Sequence, residues 1–185
     1  MQRRRIARAK RVSSRPMPPK YQPPEGYYID HPNRAKASSK ATKAIVVLLL
    51  LVTVGLMAII TIGGWDALQG AKAVQIAYPV LFLFFAFMIA RWNRGLLPVT
   101  AALSIILLIF AAVSVDAWFD RDKDGFTDPT LDESIIGLLT GILIPVQILL
   151  VAFAMRGFAQ AWNVEVERPI EGREQQTESR EPQPA

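Results

Sequence analysis

Four long apolar runs constrain this chain more than any other feature. They are Ala44 to Ile62, Ala73 to Ala90, Leu96 to Val115 and Ile135 to Met155, and none carries a charged residue. They hold 19, 18, 20 and 21 residues. At about 1.5 Å of rise per residue, each helix would span roughly 27 to 32 Å, the thickness of a bilayer's hydrocarbon core. A soluble bundle would show a polar stripe every three or four residues, and these runs have none. In lipid, a backbone must satisfy its own hydrogen bonds, so each run is expected to be a helix. The expected fold is therefore all-α: an integral membrane four-helix bundle with disordered tails. Residues 1–43 form a basic, Pro-rich tail, 44–162 the transmembrane domain, and 163–185 a polar C-terminal tail. Helices are expected at about 44–64, 73–91, 96–118 and 134–160.

Charge asymmetry orients the bundle. The first 43 residues carry twelve Lys and Arg against two acids, Glu25 and Asp30. With both termini inside, the inner side holds 18 basic residues and the outer side three. Basic residues favour the cytoplasmic side, which predicts a multi-pass cell-membrane protein, N-in and C-in, in a prokaryotic plasma membrane. The first run is too long and too far from the start for a cleaved signal peptide, and it reads as a signal anchor. Trp65, Trp92, Trp118 and Trp162 fall near helix ends, where amphipathic rings suit the interface.

The tails suggest partners. The basic N-terminal segment suits anionic lipid headgroups, each basic residue near the surface contributing about 1 kcal/mol. Nucleic acid is disfavoured, because only Tyr21, Tyr27 and Tyr28 are available to stack on bases. A protein partner reading "PMPP" or "PPEGYY" as an extended ligand is the remaining option. After Trp162, the alternating "NVEVE" either docks or lies free.

No ionisable residue lies inside any span, which argues against a proton relay or an intramembrane enzyme. Three polar residues stand out: Thr53, Ser104 and Gln147. Counted from the inner end, all lie about 12 to 14 Å deep. An unpaired amide in hydrocarbon costs several kcal/mol, so Gln147 is expected to find a partner where the first, third and fourth spans meet. Gly137 and Gly141, in "GLLTG", mark a face that another helix can approach closely. Pro79 and Pro145 each remove a backbone donor and permit a kink.

One loop carries metal-like chemistry. "DRDKDGFTD" places Asp120, Asp122 and Asp124 at alternate positions, then Gly125, Phe126 and Asp128. It resembles the start of an EF-hand calcium loop and thrombospondin type 3 repeats. The resemblance implies ligands from Asp120, Asp122, Asp124 and Asp128, with the Phe126 carbonyl at position seven. It covers only this loop. The bidentate Glu expected at position twelve is Leu131 here. Any Ca2+ bound would be structural, and no cofactor is required.

The chain has no cysteine, no nucleophile–base pair and no phosphate-binding glycine loop, so an enzyme is not expected. The expected function is an accessory, scaffold or assembly subunit of a membrane complex, meeting other membrane subunits or itself. The alternative is a small oligomeric transporter or channel.

Overall fold

A computed structural model describes residues 23–68, 70–121 and 128–170. The elements run β1 (Tyr27–Asp30), α1 (Pro32–Ala35), α2 (Ala37–Gly63), α3 (Lys72–Ala90), α4 (Leu96–Phe119), α5 (Glu133–Ala159) and β2 (Val166–Pro169). Contacts divide the chain into two compact units. One is Asp30–Val166; the other contains the described residues 23–29 and 167–170.

Helices α2 to α5 are each long and apolar enough to cross a membrane. Their outward faces support that environment. Large apolar side chains point away from the bundle on every helix, with Ile62 and Val113 each 74 % exposed. A soluble monomer rarely shows a contiguous apolar surface beyond a few hundred Å².

The helices pack in the cyclic order α3, α2, α5, α4. The α4–α5, α2–α3 and α2–α5 pairs touch extensively, while α3 and α4 touch sparsely. Small residues explain the closest pair. Gly137 on α5 leaves a notch for the Phe119 ring, whose edge lies 3.0 Å from where a Cβ would stand. Gly157, two turns from the buried Leu150, does the same for Trp162 and Leu97. By contrast, α3 and α4 are joined by a tight turn at residues 91–95. Trp92 adopts a φ of 67° there.

Three expectations are corrected. Helix α2 starts seven residues before the apolar run, at Ala37. The segment "ASSKATK" is too polar to be recognised by hydropathy, but Ser39 and Thr42 are buried. Gln160 donates to Thr42 Oγ1 at 3.0 Å, which holds this first turn against the end of α5. The tails are also not wholly disordered. β1 and β2 pair in a two-stranded sheet, so the chain is mostly helical rather than all-α. Alternation in "NVEVE" suits such a ladder, and Ile170 N–H donates to Gly26 O at 2.9 Å. Finally, Trp118 and Trp162 are buried within the bundle rather than held at an interface.

At the end bearing the acidic loop, Asp132 caps α5. Its carboxylate accepts from the N–H and hydroxyl of Ser134, which hold its pKa below the usual carboxylate range. The chain just before it is anchored to α2. Leu131 N–H donates to Gly63 O at 3.0 Å. A Cβ on Gly63 would lie 2.7 Å from Leu131 Cβ, so only glycine allows this approach.

Candidate functional site

The buried polar centre joins two of the three residues singled out by depth. Thr53, Ser104 and Gln147 are all fully buried. Gln147 Nε2 donates to Thr53 Oγ1 at 2.9 Å, and that hydroxyl donates to Leu49 O at 2.9 Å. An amide, a hydroxyl and a carbonyl thus form one relay from α5 into α2. Ser104 Oγ stands outside it. Ser104 Oγ and Gln147 Oε1 meet no hydrogen-bond partner among the described residues.

Other buried hydroxyls, not evident from span depth, turn back on their own helices. Thr100 Oγ1 donates to Leu96 O and Thr140 Oγ1 to Ile136 O, each at 2.8 Å. The i to i−4 spacing that allows this bond is open to any helical Thr and gives no sign of which ones are buried.

The two glycines of "GLLTG" do different things. Phe119 occupies the notch at Gly137, whereas a Cβ on Gly141 would meet nothing within 4 Å. Gly55, near the middle of α2, is equally open. The Thr53–Gln147 bond sets the register of α2 against α5. It puts Gly55 at the depth of residue 145, two residues from Thr53 and so turned away from α5.

Of the loop that resembles a calcium site, Asp122, Asp124 and Phe126 lie outside the described residues. Asp120 is the C-cap of α4, and Asp128 is exposed. Leu131, at the twelfth position, packs its side chain on Gly63. That position therefore serves as an apolar anchor to α2 and supplies no carboxylate. Among the described residues, no group of three or more His, Asp or Glu side chains is placed to hold a metal.

At the end bearing the termini, an aromatic pair is enclosed by hydrogen bonds. Trp162 is 0 % exposed and meets Trp92 edge-on, with ring centroids 5.3 Å apart. Its Nε1 donates to Gln160 Oε1 at 3.0 Å. Asn33 Nδ2 donates to Ala161 O and Arg34 Nε to Trp162 O, each at 3.0 Å. Arg94 Nε donates to Phe158 O at 2.7 Å and its Nη1 to Asn163 Oδ1 at 2.8 Å. Lys43 Nζ donates to Ala90 O at 3.2 Å and lies 3.9 Å from the Trp92 ring centre. Three of the basic residues counted in the charge asymmetry are thus also structural donors.

Ala161 sits in this knot at a φ of 49°. A left-handed backbone disfavours any Cβ. Ala161→Gly is expected to stabilise the protein by up to about 1 kcal/mol. A raised thermal midpoint in detergent would show it; a lowered one would contradict the strain at this position.

No family model, no curated protein and no solved structure matches the chain.

Proposed function

We propose that this chain is a non-enzymatic accessory or assembly subunit of a membrane complex, crossing the cell membrane four times with both termini inside. Its partner is another membrane subunit whose helix crosses the outward face of α2. Anionic headgroups meet the basic N-terminal segment, and the acidic loop is a candidate structural calcium site on the outer side.

The observation that carries the proposal is Gly55. It lies among exposed Leu51, Val52 and Ile59, and nothing in the bundle approaches it. A mid-helix glycine costs roughly 0.5 to 1 kcal/mol relative to alanine. Gly63, Gly137 and Gly157 offset that cost by close contacts within the chain, and Gly55 has none. A gap of this kind lets a second helix come close, which is how small residues promote helix association in membranes.

The transporter alternative is less well supported. The Thr53–Gln147 pair is sealed at 0 % exposure, and the buried Thr100 and Thr140 bond inward to their own helices.

Gly55→Leu tests the proposal, because a Cβ at this position meets nothing within 4 Å. From the native membrane in mild detergent, the wild type should bring a stoichiometric partner. Gly55→Leu should lose that partner at least tenfold while its thermal midpoint holds. Equal recovery from both, or a wild type that migrates alone, would defeat the proposal.

A further inference from the structure

Between α3 and α4, near the acidic end, lies a cleft of about 530 Å³. Ligand sites commonly enclose about 300 to 1,000 Å³. Its origin follows from the connection described above. The turn at residues 91–95 holds α3 and α4 together at one end, and their sparse contact leaves space between them at the other.

One rim follows α4 through Phe110, Ser114 and Ala117, with Arg121 just past the helix end. Steps of three and four residues put the three helical positions on one edge. Gln75 on α3 stands across from them, and buried Leu107 and Leu143 line the deep end. Phe110 is 51 % exposed on the apolar surface of a span, so the cleft opens sideways at bilayer depth.

Shape excludes a helix as the occupant. The lining runs about 21 Å along the axis from Leu107 to Arg121, so the cleft is on average about 8 Å across once the radius of a water molecule is included. A helix with side chains is about 10 to 12 Å across, wider than this slot. A single extended hydrocarbon chain is the thinner object.

Charge fixes its direction. Among the described residues lining the cleft, Arg121 is the only charged side chain, and it stands at the acidic end. Its guanidinium is positioned by a bond from Nη2 to Ala67 O at 3.3 Å and by stacking over Trp118 at 4.7 Å. The opposite end, around Leu107 and Leu143, is apolar.

We propose that this cleft binds one acyl chain of a phospholipid, which enters sideways between α3 and α4 and sets its phosphate against Arg121. Guanidinium is suited to phosphate because its planar donors match the oxygens. The lipid belongs to the leaflet at the acidic end, where span ends and headgroups coincide. The site lies on the α3–α4 side and does not depend on a partner at Gly55.

Trp118 supplies a local probe, since it lines the cleft but is only 6 % exposed. The full chain would be placed in vesicles of phosphatidylcholine with brominated acyl chains. Trp118 emission, taken as the difference between wild type and Trp118→Phe, should be strongly quenched. Ala111→Phe fills the slot from α4 and should abolish that quenching. Ser114→Phe on the rim is the second variant if Ala111→Phe does not fold. Native mass spectrometry after mild extraction should then find one phospholipid retained by the wild type, with retention reduced several-fold in Arg121→Gln. Quenching that persists in a folded slot-filled variant would overturn the proposal. So would retention indifferent to Arg121→Gln. Retention of a free fatty acid added in equal amount, in place of the phospholipid, would overturn the assignment of the occupant.

Discussion

Trp162→Ala is expected to destabilise the protein by about 3 to 5 kcal/mol, the range for emptying a buried aromatic site. Trp162 is the largest fully buried side chain. Its ring fills the space over Gly157 and meets Trp92, and the segment that carries it is held by Asn33 and Arg34. Emptying this position loosens α1 and the start of α2 together. Trp162→Phe keeps most of the packing but loses the bond to Gln160 Oε1, and should cost only about 1 kcal/mol for that bond. Thermal unfolding in detergent separates the two. Equal small losses would mean that the knot does not hold the termini end together.

Thr53→Val should cost about 1 to 3 kcal/mol, because it strands a buried amide. The valine keeps the shape but removes the acceptor for Gln147 Nε2, whose Oε1 already has no partner among the described residues. Gln147→Met removes the amide itself. It leaves Thr53 bonded to Leu49 O, so its effect should stay within about 1 kcal/mol. The double variant should therefore be more stable than Thr53→Val alone. The order of midpoints, wild type close to Gln147→Met and both above Thr53→Val, distinguishes a directed bond from simple packing. If Gln147→Met were the more damaging single change, Gln147 would hold the bundle by some other contact.

The four helices were legible because their hydrophobicity has no gap around the helix, and only lipid suits such a surface. Their ends were legible to within one residue except at α2. There the helix extends through a polar segment because Gln160 and buried Ser39 and Thr42 support it, and those contacts join residues about 120 positions apart. Depth alone pointed to Thr53 and Gln147 as neighbours. It also pointed to Ser104, which the bond does not include, because depth says nothing about which way a side chain turns around its helix. The tryptophans show the same limit. Position near a span end suits an interface ring, yet Gly64 and Gly157 provide the flat surfaces that draw Trp118 and Trp162 inward. The cleft had no sequence signal, since it arises where two helices fail to touch. Leu131 acquires a reason that the calcium resemblance did not offer, as its side chain fills the space left by Gly63.

The proposed role as a docking subunit, and the leaflet proposed to supply the cleft, both rest on four crossings with the termini inside. The chain contains no cysteine, so single introduced cysteines report without background. Gly70→Cys and Asp128→Cys mark the loops at the acidic end, and Val164→Cys marks the exposed segment beyond α5. An impermeant maleimide added to intact cells should label the first two and spare the third until the membrane is opened. Labelling of Val164→Cys in intact cells, with Gly70→Cys and Asp128→Cys protected, would invert the orientation. Labelling of all three alike would contradict four crossings.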